Sequence, residues 1–404
     1  MASKNMFEFY AAVCGEHEIE INPYIKQVLE DTTETESVTL KLTGNNRLTN
    51  VKRLNDDDVL ALSECLRNNH SVSGLDVRYN NITDVGVGHL VGLLQCNSTL
   101  LSLRLSGNKI GNRGAMHLAS MLQVNSTLKE LQLADCDLDT QSVIAFAIVL
   151  KSNETLVSVD ISRPLLFSHQ EECAVHFSEM LVVNSSLVEL HLGKMGMTDT
   201  GMERLTEGLR LNHSLRYLDL RCNRVTRDGV RLLAELLKQN QTLEIVDLSS
   251  NRIEDDGAGY LSEAIAWPGC ALRELSVSSN NIRSEGLLSL ARALTVNTAL
   301  NHLYIWGNHL EEAVCQAFRE LIASGRLPAE QTDVSAYEVD GRVFLAELFH
   351  SLRRNYYGTN GSGTNTSFTS DTPTDPLTDN GAGRHSTLPP HVESQQIVVP
   401  LQSC

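Results

Sequence analysis

A histidine placed between two carboxylates is the arrangement in this 404-residue sequence that comes nearest to catalytic chemistry. His191, Asp160 and Asp219 hold equivalent places in successive sequence units, so we expect them to be neighbours in a ladder of strands. A histidine beside a carboxylate can act as a general base. The sequence supplies no nucleophile at a sharp turn and predicts no pocket, so we interpret His191 as a solvated surface histidine.

Other patterns that could bind metal or phosphate have simpler interpretations. The acids Asp56, Asp57 and Asp58 open a predicted helix, where negative charge complements the helix dipole. Consecutive helical residues point in different directions, which argues against a metal site there. The sequence has neither of the glycine-rich phosphate-binding motifs, Gly-x-x-x-x-Gly-Lys-Ser/Thr or Gly-x-Gly-x-x-Gly after a strand. Its nine cysteines are widely spaced and include no Cys-x-x-Cys. We therefore predict no enzyme activity, no metal and no cofactor.

The elements that position these residues belong to a repeated unit. From Leu215, apolar residues stand at offsets 1, 4, 6 and 11, and an asparagine stands at offset 9. These are Leu215, Leu218, Leu220, Val225 and Asn223. The same spacing recurs in units that start at Val72, Leu100, Leu128, Leu156, Leu187, Leu215, Leu243, Leu272 and Leu300, mostly 28 residues apart. This is the leucine-rich repeat pattern, in which each unit forms a short strand and a helix.

The repeat predicts an α/β solenoid of about ten units, shaped as a horseshoe with parallel inner strands and outer helices. We expect an N-terminal helical cap over residues 1–36, the solenoid over 37–325, a C-terminal cap over 326–354 and a disordered tail over 355–404. Within the C-terminal cap, apolar residues along one side of 342–354 predict a helix.

Three recurring residues have predicted structural roles within the unit. The asparagine at offset 9, as in Asn223, should bond the backbone where the chain turns after each strand, and Cys136 replaces it as a structural thiol. Glycines near each helix start, such as Gly229, should permit close packing of strand and helix. Six glycosylation sequons fall just after helices, where we expect their asparagines to be left-handed helix ends. Those asparagines are Asn97, Asn125, Asn153, Asn184, Asn212 and Asn240.

The fourth unit departs from the pattern. Arg163 and Pro164 replace the run toward the asparagine, and the next unit starts 31 residues on, at Leu187 after Leu156. Proline lacks a backbone donor, so we expect a bulge or loop from Pro164 to Gln170. The departure of this unit is explained either by an insertion that serves binding or by simple drift of the repeat sequence.

Offsets 5 and 7 of each strand should point to the concave surface. The side chains there are mixed, and mostly small or charged, which is typical of a water-facing surface that binds protein. The candidate protein-binding residues are Arg78, Arg104, Asp160, His191, Asp219, Arg221, His302, Tyr304 and Trp306. Tyr304 and Trp306 have the character of interface hot spots, although they could instead pack beneath the C-terminal cap. The arginines could instead pair with neighbouring aspartates across strands.

The formal net charge of -17 at pH 7 narrows the class of partner. Such a surface repels nucleic-acid phosphates and anionic lipid, so we expect no direct binding to nucleic acid or membrane and favour a basic protein partner. No secretory signal or transmembrane segment is evident, which predicts the nucleus or cytosol and a structural role for the sequons. The sequence leaves the oligomeric state open, including self-association through the Tyr304 and Trp306 end.

The 28-residue units with Leu-x-x-Leu-x-Leu-x-x-Asn and a full helix, from Val72 to Leu310, resemble the ribonuclease-inhibitor class of leucine-rich repeat proteins. That class includes inhibitors of basic ribonucleases and activators of a small nuclear GTPase, so a regulator of either kind is the alternative to a scaffold. This chain lacks the cysteine content of the inhibitors and the long acidic tail of the activators.

The end of the array resembles one narrower family within this class. The resemblance rests on segments 303–308, 332–334, 339–343 and 345–347. It implies a non-enzymatic protein of the nucleus, nucleolus and cytoplasm that is linked to nucleolar proteins and to pluripotent or germ cells.

Overall fold

The computed structural model describes residues 6–32, 37–46, 51–165, 171–348 and Leu352. Within these residues, ten short strands form one parallel sheet in chain order. They are β1 (Val38–Lys41), β2 (Val72–Asp76), β3 (Ser102–Arg104), β4 (Glu130–Gln132), β5 (Ser158–Asp160), β6 (Glu189–His191), β7 (Tyr217–Asp219), β8 (Ile245–Asp247), β9 (Glu274–Ser276) and β10 (His302–Tyr304). The sheet is open, and its strands alternate with helices, which confirms the predicted leucine-rich repeat solenoid.

In the described part of the chain, two α-helices precede β1, as the apolar spacing predicted, and one α-helix follows each strand of this sheet. They are α1 (Met6–Glu16), α2 (Pro23–Asp31), α3 (Asp56–Leu66), α4 (Asp84–Cys96), α5 (Asn112–Leu122), α6 (Thr140–Leu150), α7 (Glu171–Val183), α8 (Asp199–Leu211), α9 (Arg227–Leu237), α10 (Glu254–Ala266), α11 (Ser284–Val296) and α12 (Glu312–Ala323). None of the helices in the described ranges is both long and apolar enough to cross a membrane.

The core lies between the sheet and the helices. The central residue of each strand points inward and aligns with its equivalents, so that Leu218 pairs with Leu190 on one side and Val246 on the other. All three side chains are fully buried, as are the helix residues Leu233 and Leu237 above them. Each unit therefore completes its core only by contact with its neighbours.

Asparagine side chains bond the backbone of one unit to the next. The amide nitrogen of Asn108 donates to the carbonyl oxygen of Leu105 at 2.7 Å and to that of Val77, in the preceding unit, at 3.0 Å. Its amide oxygen accepts from the backbone N–H of Ile82 at 3.2 Å. This confirms the predicted role of the offset 9 asparagines. Cys136 takes the same place and its thiol lies 3.5 Å from the Leu105 oxygen, while burial raises the pKa of that thiol to about 12.

The sequon asparagines form a second ladder at the helix ends. The amide nitrogen of Asn212 donates to the carbonyl oxygens of Leu181 and Asn184, both at 3.0 Å. The nitrogen that would carry a glycan is thus engaged within the fold. The predicted left-handed conformation is wrong, because Asn212 is extended, with φ -83° and ψ 135°. Its side chain bonds the end of the preceding helix, α7, without a reversed backbone of its own.

A third set of contacts explains the glycines at the helix starts. The Oδ1 atom of Asp199 accepts from the backbone N–H groups of Thr226 at 2.8 Å and Gly229 at 3.1 Å. A Cβ atom on Gly229 would lie 2.5 Å from that oxygen. The absence of a side chain on Gly229 therefore leaves room for the Asp199 carboxylate of the preceding helix and for Val225 of the same unit. The glycine thus serves contact between successive helices, and not the strand–helix packing that the sequence predicted. Asp56 bonds Gly86 in the same way, so this acid of the Asp56–Asp58 run has a structural role.

After α12 the chain forms a β-hairpin, and the helix predicted over residues 342–354 is wrong for residues 342–347, while 349–351, 353 and 354 lie outside the described residues. Strands β11 (Val334–Val339) and β12 (Arg342–Glu347) pair antiparallel around Asp340 and Gly341, which have φ of 50° and 77°. Positive φ at both central residues is the turn that suits a hairpin, and Asp-Gly is a favoured sequence for it. Val343 and Leu345 are buried while Phe344 is exposed, a period of two that the helical interpretation overlooked.

Two predicted regions lie largely outside the described residues. Of the loop expected at Pro164 to Gln170, the structure describes only Pro164 and Leu165, and the Leu165 N–H donates to the Leu138 oxygen at 2.7 Å. The tail expected over 355–404 lies wholly outside them.

Gly229→Ala tests the contact between successive helices. We expect it to lower the free energy of unfolding by about 2 kcal/mol, because the added methyl group displaces the Asp199 carboxylate. Gly259→Ala is the matched control, since nothing lies within 4 Å of its Cβ position in α10. There alanine should stabilise by up to about 1 kcal/mol. Urea unfolding midpoints measure both, and equal midpoints for the two variants would contradict the assigned contact.

Candidate functional site

The side chains on the sheet surface opposite the helices form three rows, which we call the strand face. The first row consists of Gly74, Ser102, Glu130, Ser158, Glu189, Tyr217, Ile245, Glu274 and His302. The second row consists of Asp76, Arg104, Gln132, Asp160, His191, Asp219, Asp247, Ser276 and Tyr304, and the third runs from Arg78 through Arg221 to Trp306. Sequence reasoning considered the second and third rows, and of the first row only His302. Strand alternation carries the missing signal, because offset 3 lies on the same side as offsets 5 and 7.

His191 is buried within this face and is not the solvated histidine predicted. It is only 4% exposed. Its Nδ1 atom lies 3.3 Å from Asp219 Oδ2, and its Nε2 atom lies 3.6 Å from Glu189 Oε2. The predicted neighbourhood is confirmed, since His191 pairs in register with Asp160 and Asp219. What sequence reasoning missed is Glu189, two residues away on the same strand, which supplies the second carboxylate.

The two carboxylates hold a proton on His191. Burial by itself would lower the pKa of His191, but hydrogen bonds to Asp219 and Glu189 and the charge of Asp160 outweigh it and raise the pKa to about 10. Burial likewise opposes ionisation of Asp219, whereas His191 and Arg221 hold its pKa below the usual range. An imidazolium that keeps its proton at neutral pH cannot serve as a general base there. This geometry gives no support to the acid–base interpretation of the trio.

Tyr217 packs against His191 and helps to bury it. Its ring meets the His191 ring edge-on, with centroids 4.7 Å apart. The side chain is fully buried, and among the described residues its hydroxyl has no hydrogen-bond partner. Burial, reinforced by the charges of Asp219 and Asp247, raises the pKa of Tyr217 well above 10.0. Within the described residues, the Tyr217 hydroxyl is therefore a buried polar group of the strand face that lacks a hydrogen-bond partner.

The three arginines of the strand face are all paired. Arg78 contacts Asp76 through two hydrogen bonds of 2.8 and 2.6 Å, and the Arg221 Nε atom lies 3.4 Å from Asp219 Oδ2. Both of these pairs join residues two apart in the chain. Arg104 instead reaches Glu130 on the neighbouring strand, at 3.0 and 3.1 Å. Of these three arginines, only Arg104 is paired across strands, and its partner is a glutamate in place of the predicted aspartate.

Asp247 is an acid of this face whose ionised form is disfavoured. Burial and the adjacent charge of Asp219 raise the pKa of Asp247 to about 6, although Ser249 donates to it through its hydroxyl at 2.5 Å and its N–H at 2.9 Å. No cluster of three or more potential metal ligands occurs within the described ranges.

The aromatic end of the strand face is covered. Tyr304 is 5% exposed and Trp306 is half-buried against the main core. The Asp333 carboxylate accepts from the backbone N–H groups of Ile305 at 2.8 Å and Trp306 at 3.0 Å, which attaches the chain before β11 to the end of β10. The sequence offered Tyr304 either as an interface hot spot or as a residue packed beneath the C-terminal cap, and its burial agrees with packing. His302 stacks beside it, with ring centroids 6.4 Å apart.

His191→Gln tests the buried charge network. The folded chain keeps the His191 proton up to about pH 10, whereas an unfolded histidine releases it near 6.5. The stabilisation is therefore complete below pH 6.5 and is lost as the pH rises towards 10. We expect the substitution to cost about 3 kcal/mol at about pH 6 and much less at about pH 9.5.

Urea midpoints of wild type and variant at both pH values measure this difference. His117→Gln, at an exposed position of α5, is the control and should change neither midpoint. A loss of equal size at both pH values for His191→Gln would rule out a protonated histidine.

Comparison with known proteins bears on the fold and the family. A family model described as leucine rich repeat matches residues 68–90, 96–119, 124–147, 211–234, 239–262 and 270–291. Among solved structures, the actin-binding site 2 region of leiomodin-1 aligns with 39% of this chain and 84% of its own, at 19% identity and a TM-score of 0.31.

Two mammalian relatives cover most of the chain. The human leucine-rich repeat-containing protein 34 is 49% identical over 384 residues, which are 87% of this chain and 83% of the relative. Its mouse counterpart is 47% identical over 86% of this chain and 92% of its own. The narrower resemblance at the end of the array is thereby confirmed, and the chain belongs to the family of leucine-rich repeat-containing protein 34.

Proposed function

We propose that this protein is a non-enzymatic scaffold that binds a basic protein segment on the strand face. Membership of a leucine-rich repeat family supports protein binding in general, because such solenoids present an extended surface. The observation that carries the finer proposal is the excess of carboxylates on the strand face. They are Asp76, Glu130, Asp160, Glu189, Asp219, Asp247 and Glu274, against the arginines Arg78, Arg104 and Arg221.

The charge balance is most negative between β5 and β9. There the strand-face cations are His191 and Arg221, and both already contact Asp219. Burial raises the pKa of Asp247, and the penalty of a second negative charge beside Asp219 raises it further. A lysine or arginine of a partner would remove that penalty and favour the ionised carboxylate. Binding of a cationic segment is thus favoured at this part of the face, and long-range attraction by the net charge of -17 would speed the encounter.

The cellular setting is part of the same proposal. The family resemblance at the end of the array supports the nucleus, including the nucleolus, and the cytoplasm, with basic nucleolar proteins among the partners. A role in pluripotent or germ cells rests on that same resemblance. The proposal includes no direct contact with nucleic acid or membrane, in keeping with the acidic composition.

Asp160→Asn combined with Asp247→Asn tests whether the acidic face selects the partner. Both changes keep the shape of the side chain and remove its charge. We expect recovery of basic proteins from nuclear and cytosolic extract to fall roughly fivefold or more. In the wild type, raising salt from about 0.15 to about 1 M should have a similar effect, since it shortens the screening length from about 8 to about 3 Å.

The matched control is Glu203→Gln combined with Glu285→Gln, two exposed positions on α8 and α11. It removes the same charge from the helix side and should leave recovery unchanged. Equal loss in both double variants, or capture that ignores salt, would contradict the strand-face proposal. Recovery of a small GTPase or a ribonuclease as the main partner would favour a regulator in place of a scaffold.

A further inference from the structure

A small apolar cluster stands apart from the main core, on the strand face. It consists of Tyr217, Ile245, Tyr304 and Leu352, each at most 5% exposed. The first three belong to β7, β8 and β10, in a surface whose other members are largely charged or small. We call these three the strand-face socket. The fourth member comes from beyond β12 and fills the socket.

The anchoring of the hairpin explains how Leu352 reaches the socket. The Leu348 N–H donates to the Asp333 oxygen at 2.8 Å, and Asp333 is itself bonded to the end of β10. Leu352 follows four residues later, a span of at most about 13 Å. Neighbouring strands lie about 4.8 Å apart, so β8 is about 10 Å from β10. Leu352 therefore lies within reach of Ile245 once the hairpin is fixed.

We propose that the strand-face socket is a docking site for a leucine with basic neighbours, and that Leu352 of the same chain is its occupant. In the sequence, Leu352 is followed directly by Arg353 and Arg354. The strand face beside the socket carries Asp219 and Asp247 in the adjacent row. A leucine fills the apolar socket, and the charge of following arginines complements these acids.

The buried hydroxyl of Tyr217 indicates that Leu352 is a replaceable occupant. An aliphatic side chain cannot hydrogen-bond to that hydroxyl, which has no partner among the described residues. A buried polar group without a partner weakens the arrangement that buries it. A partner segment of the same leucine-and-arginine type that also offered a polar group to Tyr217 would bind in preference. This inference builds on the proposed function in one respect, because it identifies the chemistry of a partner that competes with Leu352.

A labelled peptide tests the site without any cellular partner. The probe is a fluorescein-labelled synthetic peptide of residues 347–358, titrated with the full-length chain and followed by fluorescence anisotropy. The variants are Leu352→Asp, and Leu352→Asp combined with Ile245→Ala. An added peptide can bind only while Leu352 is out of the socket. Its apparent affinity is therefore the intrinsic affinity multiplied by the fraction of time that the socket is empty. Leu352→Asp should therefore bind the peptide roughly tenfold tighter than the wild type.

The second change identifies the socket. Ile245→Ala in the Leu352→Asp background should weaken peptide binding roughly fivefold. A peptide that carries the Leu352→Asp change should not bind. Val296→Asp, an exposed apolar position at the end of α11, is the control for introducing an aspartate and should match the wild type. If Leu352→Asp lowers the unfolding midpoint, Leu352→Ser replaces it.

Two results would overturn the inference. Equal affinity of wild type and Leu352→Asp would mean that Leu352 does not occupy the peptide site, and absence of binding to Leu352→Asp would mean that the socket does not take this segment. This peptide assay is independent of the recovery of basic proteins from cell extract. If the peptide binds but no basic protein is recovered from extract, the proposed function is rejected and the socket proposal stands. If basic proteins are recovered but the peptide does not bind, the socket proposal is rejected and the proposed function stands.

Discussion

The stacking of the repeats depends on side-chain amides that satisfy the backbone between one repeat and the next. A three-residue strand and a single helix leave carbonyl oxygens and N–H groups without partners at each turn. Asn108 serves three of them after its strand, and Asn212 serves the equivalent groups after its helix. Because each amide bonds two successive units, the ladders set the stacking distance of the solenoid.

That stacking distance also decides what happens on the strand face. Residues at the same offset are brought within a few ångströms of one another, so charges separated by about one repeat in sequence become a single electrostatic group. His191 and Asp219 meet in this way, and the imidazolium stabilises carboxylates that would otherwise be expensive to bury. The strand face therefore contributes to the stability of the solenoid, and it is also a candidate binding surface.

The C-terminal end shows how an open repeat array can be closed with its own chain. Asp333 bonds the last turn after β10, the hairpin of β11 and β12 continues from it, and Leu352 reaches back to Tyr217. The same contacts that cover the last strand thus place an apolar side chain on the strand face. The contacts that close the edge of the array and the contact that covers the socket are therefore made by the same C-terminal part of the chain.

The sequence by itself determined the repeat, the order and direction of the strands, the amide ladder at offset 9 and the placing of His191 between Asp160 and Asp219, because the spacing of Leu218, Asn223 and their equivalents is local and regular. It did not reveal that His191 is buried, since Glu189 and Tyr217 enclose it from positions that the pattern leaves unconstrained. The hairpin lies beyond the repeat, but its signals are local, because Asp340 and Gly341 suit the turn and burial alternates from Val343 to Leu345. Only the tertiary structure decided the site of Leu352, because that site depends on contacts with strands that are distant in the chain.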